Sequence, residues 1–182
     1  MRVLEAALRL VERVATTIAA VIMFAIMVIV GADVFMRYVF NSPFGWAYDL
    51  ISLYLMAAVF FLVLSHTYVV GGHVSVDILQ QKLPAKPFRV TEIVTTGVSF
   101  VVFVLIAWAG WHRMVDAFQQ GDVLAGAIPW PTWPALALVP FGSGLLALRL
   151  AIDFVGHLGS LITGRDLIPV RRHVQHGQES FE

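Results

Sequence analysis

The chain has 182 residues, 59% of them hydrophobic and 13% charged, and its twelve basic and twelve acidic side chains cancel to no net charge. Soluble domains run nearer ~45–50% apolar and ~25% charged, so the composition argues against a water-soluble fold, and a balanced charge offers no field to attract nucleic acid. With no cysteine in the chain, disulfides, thiolate metal sites and thiol nucleophiles are excluded.

The charged residues leave four gaps: Val14 to Ala32, Leu50 to Val70, Ile93 to Trp111 and Val123 to Leu148 contain no Asp, Glu, Lys or Arg, and each gap holds at least 19 residues. At ~1.5 Å of rise per residue, such a run matches the roughly 30 Å of bilayer hydrocarbon. The predicted architecture is therefore an all-α integral membrane protein with four transmembrane helices, at about 14–36, 47–70, 91–112 and 133–155. They form one membrane domain over residues 1–160, followed by a polar tail over 161–182 with no apolar periodicity, expected to be disordered.

Ahead of the first span, Arg2, Glu5, Arg9 and Glu12 recur at steps of three and four, which predicts a polar helix face extending span one into the headgroup region. The apolar run is longer than a signal-peptide core of ~7–15 residues, so it reads as a retained span. At the far end of span one, Asp33 and Arg37 lie four apart, able to pair along one face. Asn41 and Pro43 mark a tight reversal, and Arg37 is placed to reach Asp49 or a phosphate headgroup.

After span two, Gly71 to Glu92 reads as a short hairpin loop turned by Pro84 and Pro87, with His73 and Asp77 four apart on one face if the helix continues. The segment Gly121 to Pro134 carries Pro129, Pro131 and Pro134 and cannot be regular helix, yet its charge-free part is expected to lie against the membrane or a partner. Inside span four, Pro140 with Gly142 and Gly144 predicts a kink. Ser143, Ala147 and Ala151 follow at spacing four, a stripe of small residues that lets another helix approach, whether from this chain or a partner.

Orientation follows from Lys and Arg, ten of which fall on one side of the alternating spans and two on the other, which predicts both termini in the cytoplasm. All five tryptophans, Trp46, Trp108, Trp111, Trp130 and Trp133, then fall at the external headgroup level. No ionisable residue lies mid-span where a transport pathway would need one. Phosphate-loop, metalloprotease and nucleophile-elbow motifs are absent. His66 and His157 are the one pair able to serve as axial haem ligands in such a bundle. No cofactor and no enzymatic activity are expected, which is the profile of a scaffold or accessory subunit.

Three segments carry a family resemblance. Arg37-Tyr38-Val39-Phe40-Asn41-Ser42-Pro43-Phe44-Gly45-Trp46-Ala47-Tyr48-Asp49, Gly71-Gly72-His73-Val74-Ser75-Val76-Asp77, and Leu124-Ala125-Gly126-Ala127-Ile128-Pro129-Trp130 followed by Val139-Pro140-Phe141-Gly142 occur in that order. Together they resemble the small membrane (Q) subunit of the tripartite ATP-independent periplasmic transporters. Tyr48 stands where that family often has a second acid, and Val69 and Val70 replace charges common before the Gly-Gly-His.

The resemblance implies a bacterial inner-membrane scaffold bracing a large membrane subunit that carries substrate and sodium. A periplasmic solute-binding protein would deliver an organic acid such as a C4-dicarboxylate, another carboxylate or a sialic acid. It marks Arg37, Asn41, Pro43, Trp46, Asp49, Gly72, His73, Asp77, Gly126, Ile128 and Pro129 as motif or subunit-interface candidates, beside the Ser143, Ala147 and Ala151 stripe. The alternatives are a haem-bearing anchor of a respiratory enzyme and a small transporter assembled from identical copies.

Overall fold

The computed structural model describes residues 2–71, 85–126 and 128–163. Its regular elements are helices: α1 (Arg2–Phe40), α2 (Ala47–Val70), α3 (Ala85–Gln120) and α4 (Trp133–Thr163). All four contain a stretch long and apolar enough to cross a membrane. The described residues adopt the expected all-helical class, with four helices apolar enough to span a membrane.

The helices extend beyond the predicted spans. α1 begins at Arg2, as the polar repeat ahead of its span predicts, and α3 runs for 36 residues instead of the predicted 91–112. The expected loop from Gly71 to Glu92 is correspondingly shorter, with Pro87 in the first turn of α3, where a missing N–H breaks no intrahelical bond. The physical reason is that a charge-free gap reports contact with hydrocarbon, whereas backbone hydrogen bonds carry a helix on through polar residues.

Each helix end has a local cause. Asn41 adopts the left-handed conformation (φ 51°) and Ser42 N–H turns back to the carbonyl of Met36, which stops α1. Gly71 (φ 75°) caps α2 and donates to Thr67 and Tyr68. Gly121 (φ 66°) ends α3, with Asp122 N–H bonded to the Ala117 carbonyl at 3.0 Å. Near its start α2 is widened by a turn of π-helix over Ile51–Leu55, closed by the Met56 N–H bonding to the carbonyl of Ile51.

The helices pack as an open row in the order α1, α2, α4, α3, bent so that Arg149 of α4 also reaches α1 and Leu138 packs on the cluster that α1 and α2 share. α1 lies on α2 through a narrow stripe of Leu8, Glu12, Ala15 and Ala19, spaced four, three and four, against Ala58, Leu62 and Ser65. α2 meets α4 where Gly142 touches the backbone of Phe61; a Cβ there would collide with the Phe61 carbonyl. Leu64, Leu146 and Leu150 fill the space beyond, flanked by Phe61, Tyr68, Phe100 and Phe103. α3 runs antiparallel to α4, with Gly110 against Val139 and Pro140, Gly97 against the Phe154 ring, and the Phe118 and Trp133 rings edge to face at 5.5 Å. α4 continues through Pro140 to Thr163, and the Ser143 hydroxyl bonds back to the Val139 carbonyl beside it.

Candidate functional site

Two constellations stand out, one toward each end of the helices. The first joins the 41–46 and 121–132 connections. Asp33, two turns before the end of α1, accepts from Arg37 Nη2 at 3.0 Å through one carboxylate oxygen and from the Phe44 N–H at 2.7 Å through the other. A carboxylate taking two such bonds holds the reversal shut, because charge-assisted hydrogen bonds are shorter and stronger than neutral ones. The Phe44 and Trp46 rings stack at 5.6 Å and complete the turn.

The 121–132 connection is a small antiparallel hairpin. Leu124 N–H bonds to the Trp130 carbonyl at 2.8 Å, Thr132 N–H to Asp122 at 3.0 Å, and Val123 pairs with Pro131. Prolines fit because they occupy positions whose N–H the ladder does not use. The hairpin is pinned to α2: the Tyr54 hydroxyl donates to the Pro131 carbonyl, the Tyr54 and Trp130 rings meet edge to face at 5.9 Å, and Gly126 lies against the Asp49 carboxylate. A methyl group at Gly126 would meet Asp49 Oδ2, so the motif glycine is there to admit the motif acid.

The structure thus brings Asp49 and Gly126, 77 positions apart in the chain, into contact. Arg37 bonds Asp33 rather than reaching Asp49. Asn41 stops α1, Pro43, Ile128 and Pro129 are exposed, and Trp46 is half-buried. Ser143 and Ala147 are buried within the chain and Ala151 is half-buried. Gly72, His73 and Asp77 lie outside the described residues, as does the 164–182 part of the tail.

The second constellation was not foreseen as a unit. Glu12, expected on a headgroup-facing surface, is instead buried between helices, where its carboxylate accepts from the Ser65 hydroxyl at 2.7 Å. Its other oxygen faces Arg149 Nη1 at 3.9 Å, and Arg149 Nε faces Asp153 at 4.0 Å. These separations attract without forming hydrogen bonds, and Arg149 Nε and Nη1 are buried with none. Only the Arg149–Asp153 half was legible as a pair four apart on one helix. The signal for Glu12 was its place in the repeat Leu8, Glu12, Ala15, Ala19, which marks it as part of the buried stripe. Glu5 and Arg9, off that stripe, pair with each other at 3.6 Å on the surface.

The Ser65 hydroxyl beside the Glu12 carboxylate is buried between helices, so that constellation, like the Asp33 turn, is a fastening. His66 and His157 are half-buried on the neighbouring helices α2 and α4. The Phe61–Gly142 contact sets the register between those helices, and it leaves His157 about ten residues beyond the level of His66. That is ~15 Å along the axis, which does not let the two meet one iron from opposite sides.

One family model, described as tripartite ATP-independent periplasmic transporters, DctQ component, matches residues 26–159. Among curated proteins none matches the chain. The matched segment holds the three motif regions, the Asp33 turn, the Asp49–Gly126 contact and Arg149.

Proposed function

The chain belongs to the DctQ component family of tripartite ATP-independent periplasmic transporters, and from that premise we propose that it acts as a fixed, non-catalytic scaffold beside the large membrane subunit of a sodium-coupled importer. Membership makes it a transporter small subunit and, with its four spanning helices, a multi-pass membrane protein. The observation that carries the scaffold reading is the open row. Close-packed helices, a turn locked by Asp33 and a hairpin pinned at Asp49 form a stiff layer that leaves large apolar side chains exposed on every helix, among them Phe24, Phe60, Leu105 and Phe141.

In this reading the substrate is an organic acid handed over by a periplasmic solute-binding protein, and sodium and substrate are carried by the large subunit. The bilayer is the bacterial inner membrane, with both termini cytoplasmic. The ten-to-two split of Lys and Arg supports that orientation, and it puts the 41–46 and 121–132 connections on the periplasmic side.

The test is purification of the tagged chain from its native membrane in mild detergent, followed by reconstitution. A single large polytopic protein should co-purify without haem absorption, and uptake in liposomes should require this chain, that protein, a solute-binding protein and a sodium gradient together. Uptake by the chain alone, or a co-purifying flavin or iron–sulfur enzyme with a Soret band, overturns the reading.

A further inference from the structure

The contacts between helices fix the height of every residue along the row, and the apolar belts do not line up. Glu12 meets Ser65, so α1 and α2 run antiparallel with Val14–Ala32 of α1 beside positions 45–63 of α2. The Phe61–Gly142 contact sets α4 beside α2. Through Gly110 on Val139, Gly97 on Phe154 and Phe118 on Trp133, the charge-free run Ile93–Trp111 of α3 starts level with position 59 of α2 at its Trp111 end and reaches about seven residue rises past the end of α2 at Val70. The charge-free run of α2 itself is Leu50–Val70.

The centres of these belts differ by about fourteen residues, ~21 Å, between α1 and α3 at the two edges of the row, while α2 and the helical part of the α4 run, Trp133–Leu148 beside positions 52–67 of α2, share the level between them. The aromatic markers step the same way: Tyr38 on α1, Trp46 before α2, Trp133 at the start of α4, and Trp108 and Trp111 well inside α3. Four helices at ~8–10 Å spacing spread their axes over roughly 27 Å.

We infer that the row engages the bilayer obliquely, its helices inclined by roughly 35–40° from the membrane normal within the plane of the layer, so that the stepped belts coincide with one slab of hydrocarbon. The oblique belt is the lipid-contacting surface of the protein. Helix length agrees. α3 has 36 residues, ~54 Å, which overshoots an upright bilayer but rises ~43 Å at this inclination, matching the 40–45 Å of hydrocarbon plus headgroups. The inference stands independently of the transporter reading.

A chain without cysteine allows a direct test by single spin labels on the full chain in lipid nanodiscs. Ile18, Phe60, Phe141 and Ala109 are all exposed, one on each helix, and sit at nearly the same level of the row. Nitroxides on I18C, F60C, F141C and A109C report immersion depth through collisions with oxygen and a nickel chelate. The oblique row puts the labels at 60 and 141 deepest, and those at 18 and 109 on opposite sides of the midplane, ~17 Å apart in height and each about halfway to its interface. Polarised infrared absorption of the unmodified chain in oriented bilayers should give a mean helix tilt above 30°. Four labels at one depth, or a mean tilt near the ordinary ~20°, overturns the inference.

Discussion

α1 and α4 show how differently two apolar helices of one membrane protein can be used. α1 carries the most apolar stretch of the four and buries 6% of it, whereas α4 carries the least apolar and buries 33%. In water the order would be reversed. In a bilayer, lipid tails solvate Phe24, Met27 and Val28 as well as another helix would, so large apolar residues gain little by turning inward. What turns inward is what packs closely or what lipid rejects: Gly142, Ser143, Ala147 and Arg149 on α4, and Leu8, Glu12, Ala15 and Ala19 on α1.

Substitutions that break this contrast are ranked by what they leave behind, each followed by reversible unfolding in mixed micelles. Arg149→Leu strands Glu12 and Asp153 in the interior and should cost the most, roughly 3–5 kcal/mol, while replacing all three by Leu should recover most of that loss. Leu146→Ala opens a cavity where the side chain is almost fully buried, at about 2–4 kcal/mol. Gly142→Val drives a side chain into the Phe61 backbone, and about 2–3 kcal/mol is expected as α2 and α4 are prised apart. Asp33→Asn weakens the bonds to Phe44 and Arg37, for about 1–2 kcal/mol and faster amide exchange at Phe44. Phe24→Ala on the exposed half of α1 should stay within about 0.5 kcal/mol. A cost at Phe24 equal to that at Leu146 would show that the two helices are not used differently.

The same contrast explains what could be read in advance. The spans were legible because charges avoid hydrocarbon, and the connections because Asn41, Gly71 and Gly121 are residues that tolerate a left-handed backbone. The small-residue stripe at Ser143 and Ala147 announced a close approach, but not that this chain's own helices would fill it. The row order was not legible, because every span is apolar enough to neighbour any other and no single-helix pattern records which pairs meet. Gly142 was read as a contributor to a kink, although its use is the Phe61 contact. Glu12 was assigned to the surface because its spacing from Arg9 and Glu5 competes with its equally good spacing from Leu8, Ala15 and Ala19. The contact of Asp49 with Gly126 depends on two connections meeting in space.

The wide turn at Ile51–Leu55 has a bearing on how this layer can change over evolutionary time. It holds one residue more than an α-helical turn would, and one residue is worth about 100° of rotation around a helix axis. Everything before it, including Trp46 and Asp49, is therefore swung by a quarter-turn or so relative to the face of Met56–Val70 that packs on α4. Deleting one residue there would leave α2 intact and seated on its neighbour, yet would turn Asp49 away from Gly126 and free the hairpin. The turn thus sets which side chains one half of the helix presents while sparing the packing of the other half.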